Sequence, residues 1–189
     1  PNLAQVPADN RFRELFKATP GLSMVGADLS GIELRILSHY LARFDGGRYA
    51  DVLVNGDIHQ ENADKIGITR KQVKTVTYAF LYGAGNQRIG IAYDKQLSEK
   101  EAKKKGKEIR AAYVAAIPGL KELLEAVHKA SARGFVYGLD NRRILCDSKH
   151  KSLNFLLQGS AAIVAEKFMV LVHEQKPKTA HQLAFIHDE

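Results

Sequence analysis

Apolar residues recur at helical spacing along most of this chain, and at strand spacing only near its ends. After the Thr19-Pro20-Gly21 turn, residues 22–28 (Leu-Ser-Met-Val-Gly-Ala-Asp) read as a buried strand. Ile32, Leu34, Ile36, Leu37, Tyr40 and Leu41 then predict a helix that stops before Asp45-Gly46-Gly47. A short helix follows at 48–54, and Asp57 is placed to cap another over His59–Ile66. Thr69 is an N-cap candidate for a helix over 70–82, closed by Gly83 and Gly85. Ser98-Glu-Lys-Glu opens a long helix that breaks near Pro118, and Leu120–Ala132 forms the next. Phe135-Val-Tyr and Arg143-Ile-Leu flank Gly138-Leu-Asp-Asn as a β-hairpin. Ser152–Glu174 reads as a long amphipathic helix, Pro177 as a turn and Leu183–His187 as a final strand. The fold class is therefore α+β and mostly helical. The two terminal strands have no sequence neighbours to pair with, so they are expected to pair with each other across about 150 residues.

Composition adds bounds. The 189 residues hold 45% hydrophobic and 26% charged side chains, enough for one core or for two subdomains sharing one. Lys and Arg number 28 against 21 acids, a net charge of +7 that favours a polyanionic partner. Cys146 is the single cysteine, which excludes an internal disulfide and a thiolate zinc site, and fits a reducing compartment. No apolar run approaches the ~20 residues that span a bilayer, so no membrane partner is expected. Neither a signal peptide nor an initiator Met opens the chain, and both ends read as cut from something longer.

Three groups of residues are candidates for chemistry. On the helix over 70–82, each four-residue step drifts only ~40°, so Arg70, Lys74, Tyr78 and Tyr82 share one broad face. Its cations lie near the helix start, where backbone N–H groups and the macrodipole already favour anions. Alone, that stripe reads first as an amphipathic helix with a cationic edge and tyrosines in the core, and second as a surface suited to a nucleoside triphosphate. Asp28 at one strand end, Glu33 five residues later, and Asp188 with Glu189 at the other strand end are carboxylates of the kind that share Mg²⁺ with substrate phosphates. Singly, each is equally a surface carboxylate. His59 in Gly56-Asp57-Ile58-His59 is a phosphate ligand or a core histidine. Asn154 and Gln158 place two amides on one helix face, suited to minor-groove acceptors or to packing. The Lys100–Arg110 stretch, with Lys103, Lys104, Lys105 and Lys107, is a solvated helix face or a DNA-backbone contact.

Taken in order, these motifs resemble the polymerase core of family A (DNA polymerase I-like) DNA polymerases, in particular the replicative branch of T7-like phages. The resemblance spans the whole chain. It rests on Pro1-Asn-Leu-Ala-Gln-Val-Pro7, Asp28-Leu-Ser-Gly-Ile-Glu-Leu-Arg35, Gly56-Asp-Ile-His59, Arg70-xxx-Lys74-xxx-Tyr78-xxx-Tyr82-Gly83, Asn154-xxx-Gln158 and His187-Asp-Glu189. It implies a small antiparallel palm sheet and helical fingers: palm at 1–45, fingers at 46–135 and palm again at 136–189. By the same resemblance, Asp28, Asp188 and the Leu29 carbonyl would hold two Mg²⁺ ions, with Glu189 supporting the site. Arg70, Lys74 and His59 would grip the triphosphate of a dNTP. Tyr78 would pack near its sugar, Glu33 would exclude a 2′-hydroxyl, and Tyr82 would stack at the template-insertion site. Gly83, Asn154, Gln158 and His187 would meet primer-template DNA.

The resemblance thus implies template-directed transfer of dNMP from dNTP to a primer 3′-hydroxyl in DNA replication. The protein would be a fragment without thumb, 3′–5′ exonuclease or the last palm strand. It would act in the cytoplasm of a phage-infected bacterium, as a monomeric core with a possible processivity factor on the parent. Gly31, where bacterial members commonly carry Gln, and Tyr78, where many carry Phe, favour the phage branch. Two alternatives stay open on the residues: a single-subunit RNA polymerase core, opposed by Glu33 and Glu189, and a non-catalytic basic DNA-binding module.

Overall fold

The computed structural model describes residues 6–7 and 9–186. Nine α-helices and one hairpin make up the regular structure of those residues: α1 (Asn10–Arg13), α2 (Ile32–Asp45), α3 (Arg48–Asn55), α4 (Ile58–Ile66), α5 (Arg70–Leu81), α6 (Asn86–Tyr93), α7 (Glu99–Ala116), α8 (Leu120–Ser131), β1 (Phe135–Tyr137), β2 (Arg143–Leu145) and α9 (Ser152–Gln175), with a 3₁₀ turn at Lys149–Lys151 before α9. They fall into two compact units, one of residues 33–161 and one of 1–32 with 162–189.

In the larger unit the caps do what the sequence predicts. Asp57 accepts from the His59 and Gln60 amides at the start of α4. Thr69 with Gln72, and Ser98 with Glu101, form capping boxes on α5 and α7, pairing orphan amides reciprocally. The core is built from Leu37, Leu41, Val73, Val76, Leu81, Ile89, Tyr113, Ile117, Leu120 and Leu157, all essentially inaccessible. The sequence pattern misses α6. Its small apolar surface gives little periodicity, and Gly90 weakens its helix propensity. Gly90 is there for packing. A Cβ on it would overlap the Ala102 carbonyl, and one on Gly106 of α7 would overlap the Asn86 carbonyl, so α6 and α7 cross backbone to backbone.

The predicted hairpin forms, with Phe135 opposite Leu145, Val136 opposite Ile144 and Tyr137 opposite Arg143. Asn141 adopts φ +63° in its turn, a left-handed conformation that Asn tolerates. Val136 is buried on the inner face, and Gly159 of α9 lies against Ile144.

The smaller unit corrects the terminal strands. Residues 22–28 and 181–186 carry no regular secondary structure, and β1–β2 is the sheet of the described residues. A strand needs ladder partners and a buried face; Val25 is 91% exposed and Leu183 77%, so neither segment has the second requirement. The expected long-range pairing is accordingly absent among the described residues. Instead, Gln182 folds back on the end of α9, donating to the Met169 carbonyl at 3.1 Å and meeting His173 Nδ1 at 3.1 Å.

α9 departs from expectation twice. It is apolar around its circumference rather than on one stripe, with Val170, Leu171 and Val172 exposed near its end. The helical stretch Lys149–Gln175 is also long and apolar enough, by length and composition, to cross a membrane. Its first turns are core instead: Ser152, Leu153, Leu156, Leu157 and Ser160 are buried, and the Ser160 hydroxyl is 2.8 Å from that of Tyr40.

Candidate functional site

The α5 stripe is set by its caps and neighbours. The Thr69 box fixes its first turn, and the Gln72 amide donates to the Tyr93 carbonyl at 3.2 Å, tying α5 to α6. Val73, Val76, Thr77, Phe80 and Leu81 face inward, which leaves Arg70 and Lys74 exposed and Tyr78 half-buried on the other side. Arg70 Nε lies 2.7 Å from Asp57 Oδ2, with both side chains about half exposed (52% and 44%). A pair so wetted contributes little, so the guanidinium is available to a stronger anion. That hydrogen bond, with the α4 amides, holds the Asp57 carboxyl below the usual carboxylate range.

His59 comes up beside this stripe from α4. It is buried, its ring centroid is 6.3 Å from that of Tyr78, and its Nδ1 has no hydrogen-bond partner. Burial first, and then the Arg70 and Lys74 charges, push its pKa below the ordinary imidazole value, against a weaker opposing effect of Asp57. Arg70, Lys74, His59 and Tyr78 therefore form one cluster: two exposed cations, a neutral imidazole and a phenol ring, with room for added negative charge.

At the other end of α5, the Tyr82 hydroxyl donates to Glu33 Oε1 at 2.5 Å, joining the helix end to the first turn of α2. Tyr82 is 52% exposed. Gly83 turns the chain at φ +71° against Lys151 and Asn154, a conformation that disfavours any side chain. Asn154 Nδ2 donates to the Leu81 carbonyl at 3.0 Å, satisfying an orphan acceptor at the end of α5. Gln158, half-buried, follows one turn later on α9.

Asp28 is exposed and Leu29 half-buried in an irregular segment of the smaller unit. His187, Asp188 and Glu189 lie outside the described residues. Among the described residues no three His, Cys, Asp or Glu side chains converge as a metal cage. An exposed carboxylate beside a peptide carbonyl is instead the donor chemistry of a Mg²⁺ shared with substrate oxygens.

A layer beneath α5 was not legible in the sequence. Tyr49, Asn62, Thr77 and Tyr113 are buried with polar atoms that reach no hydrogen-bond partner. Burial and neighbouring phenols raise Tyr49 well above the ordinary tyrosine range, and burial pushes Tyr113 up to about 12. Each residue sits at an apolar position of its own helix, and only the packing of α3, α4, α5 and α7 assembles them. The role of Asp57 as partner to Arg70 was also missed, although its place before α4 and thirteen residues ahead of Arg70 was visible.

Comparison with known proteins bears on the family of the chain. The family model for DNA polymerase family A matches residues 1–189. The DNA-directed DNA polymerases of Enterobacteria phage T3 and Escherichia phage T7 are each 31% identical over 227 residues, across 100% of this chain and 31% of theirs. DNA polymerase I of Geobacillus stearothermophilus is 29% identical over 218 residues, covering 100% of this chain and 24% of its own. The chain thus spans about a third or less of the length of these relatives. Among solved structures, a polymerase domain of M. smegmatis in complex with DNA primer-template and dNTP superposes with TM-score 0.72 at 22% identity, over 100% of this chain and 37% of that one. On the whole-chain match, this chain belongs to DNA polymerase family A.

Proposed function

We propose that the chain is the palm and fingers part of a template-directed DNA polymerase, with palm at 1–45, fingers at 46–135 and palm at 136–189. The observation that carries this reading is the cluster on α5: Arg70 and Lys74 exposed along one face, with neutral His59, its Nδ1 unpaired, and half-buried Tyr78 beside them. Family membership supplies the reaction class, transfer of dNMP from dNTP to a primer 3′-hydroxyl.

Phosphoryl transfer asks a protein mainly for positioning and charge neutralisation. Arg70 releases Asp57 and, with Lys74, takes the triphosphate oxygens, while His59 adds a hydrogen bond from its ring. Tyr78 packs the sugar, and Glu33, held by the Tyr82 hydroxyl, stands where a 2′-hydroxyl would need room. Tyr82 covers the template-insertion site until the incoming pair displaces it. Asn154 and Gln158, with Gly83 and His187, line the primer-template. Asp28, Asp188 and the Leu29 carbonyl would hold two Mg²⁺ ions, with Glu189 supporting them. When bound, these ions would activate the primer hydroxyl and neutralise the departing pyrophosphate. Primer-template DNA and dNTPs are then the partners, and a bacterial host is the setting that the phage and bacterial relatives support.

Primer extension by the full polymerase chain carrying this segment, with dNTPs and rNTPs compared in the presence of Mg²⁺, tests the proposal. Extension with dNTPs that is lost in Lys74→Ala supports it. Preferential use of rNTPs, or no extension by a folded, DNA-binding protein, overturns it.

A further inference from the structure

Beneath the α5 cluster, four helices of the larger unit each contribute one buried polar side chain: Tyr49 from α3, Asn62 from α4, Thr77 from α5 and Tyr113 from α7. Exposure is 4% for Tyr49, 1% for Asn62 and zero for the other two. Asn62 Nδ2, Thr77 Oγ1 and both phenol oxygens reach no hydrogen-bond partner among the described residues. They nonetheless lie close together. Burial chiefly raises the Tyr49 pKa; the Tyr113 phenol adds to that, and the Asn62 amide opposes it. Burial pushes Tyr113 up to about 12, against the Thr77 and Tyr49 hydroxyls. The groups thus feel one another, but no pair meets the distance and angle of a hydrogen bond. A buried amide or hydroxyl left so costs more than an ordinary hydrogen bond returns, and folded proteins leave few of them.

A cavity opens on this layer. Water centres have about 10 Å³ of space in it, room for one molecule. Tyr49 and Asn62 line it, together with Asp45, Arg48, Glu61 and Lys65. Those four charges balance and are already engaged. Glu61 Oε1 meets Arg48 Nη2 at 2.6 Å and Lys65 Nζ at 2.5 Å. Asp45 accepts from the Gly47 and Tyr49 amides, each at 2.8 Å. An ion would find no net charge to compensate it, and anything larger than water would not fit. The unmet demand is that of Asn62 Nδ2 and the Tyr49 hydroxyl. One water satisfies both, accepting from the amide and donating to the phenol oxygen.

We propose that this cavity binds one structural water, which bridges Asn62 Nδ2 to the Tyr49 hydroxyl and so ties α4 to α3. The bridge backs the α5 cluster. His59 precedes Asn62 by one turn of α4. Thr77, of the same layer, precedes Tyr78 on α5, whose ring centroid lies 6.3 Å from that of His59. Tyr49 and Asn62 are therefore positioning residues: they hold α4, and His59 with it, at its distance from α5. The water site stands on the structure alone, and its effect on dNTP affinity rests on the polymerase reading above.

The test pairs a crystal structure of the full polymerase chain, at a resolution that defines waters, with steady-state extension over a dNTP series. Density for one water within hydrogen-bonding distance of Asn62 Nδ2 and the Tyr49 oxygen is expected. Tyr49→Phe and Asn62→Leu, each close in volume to the parent side chain, should raise KM for dNTP about three- to tenfold and leave kcat within about twofold. The split arises because a displaced His59 weakens its hold on the triphosphate equally before and during reaction. Loss of folded enzyme alone would lower kcat and leave KM unchanged. The double variant should add little to either single one, because the same bridge is lost in each. A cavity without density, a direct Asn62–Tyr49 bond, an ion in place of water, an unchanged KM in both variants, or additive effects would each overturn the proposal. The parent's crystal structure decides even if a variant does not fold. Failure of the polymerase reading is separate: the parent would show no extension, while the density at the cavity would still be read.

Discussion

His59 is the residue whose surroundings make the sharpest demand. Buried beside Arg70 and Lys74, it is held neutral at pH values where a free imidazole is half protonated. A triphosphate at Arg70 and Lys74 reverses the local sign: it screens the two cations and favours the imidazolium. The folded pKa, depressed below 6.5 without ligand, should therefore rise on binding. Nucleotide binding near pH 6 should take up protons, and affinity should strengthen as pH falls from 7.5 to 6. Calorimetric titration of a dNTP in two buffers of different ionisation enthalpy reads this directly. A buffer-independent enthalpy, or uptake that survives His59→Gln, would show that the ring does not meet phosphate. The same depression has a stability consequence with a fixed sign. The contribution of neutral His59 is present above pH 6.5 and is lost as pH falls through its folded pKa, so urea midpoints of the wild type, but not of His59→Gln, should drop over that interval. Tyr78 offers a second residue-level check: Tyr78→Phe should reduce dideoxynucleotide incorporation relative to dNTP. Unchanged selectivity would remove the sugar contact.

Among elements, the α6–α7 crossing explains how the site is held and why part of it escaped the sequence. Caps are local, and Asp57, Thr69 and Ser98 announce α4, α5 and α7 by side chains that act within three residues. The hairpin was equally local, its strands set by alternation and its turn by Asn141. Helix α6 has no such signature, because what stabilises it is the backbone of α7 lying against Gly90. Conversely, residues 22–28 looked like a strand on composition alone, and a strand is made by its neighbours. The candidate site divides in the same way. The order Arg70, Lys74, Tyr78, Tyr82 was written in a four-residue period, whereas the Arg70–Asp57 pair, the Tyr82–Glu33 bond and the buried Tyr49–Tyr113 layer depend on how helices meet. Gly106→Ala tests the crossing. The added methyl would collide with the Asn86 carbonyl, and the overpacking cost of about 1–3 kcal/mol exceeds the ~1 kcal/mol of helix propensity gained. Chemical denaturation should show a net loss, with nucleotide binding weakened because Gln72 is tied to Tyr93 across the same helices. A stabilised variant would mean that α6 and α7 do not cross so closely.

For the whole molecule, the candidate machinery is split between two compact units. Arg70, Lys74, His59 and Tyr78 belong to the unit of residues 33–161, while Asp28 belongs to the other unit, and Asp188 lies outside the described residues. On the proposed reading, the first set would meet a nucleotide's phosphates and sugar in its ground state. The second, through Mg²⁺ shared with substrate oxygens, would act chiefly on charge that develops as the primer oxygen attacks. Interactions of the first kind set affinity, and those of the second kind set the chemical rate. Substitution on the two units should therefore separate the two quantities. In the full polymerase chain, Asp28→Ala and Asp188→Ala should lower single-turnover extension at saturating dNTP by about 10²–10³-fold or more, leaving primer-template affinity within about twofold. Lys74→Ala should weaken dNTP binding and depress the rate together, because on the proposed reading its charge would face both the bound triphosphate and the departing pyrophosphate. Rapid-quench extension over a dNTP series, beside equilibrium binding of primer-template, yields both quantities for each variant. Near-normal extension by either aspartate variant would remove the metal assignment and leave the α5 cluster as a nucleotide-binding surface whose chemistry lies elsewhere.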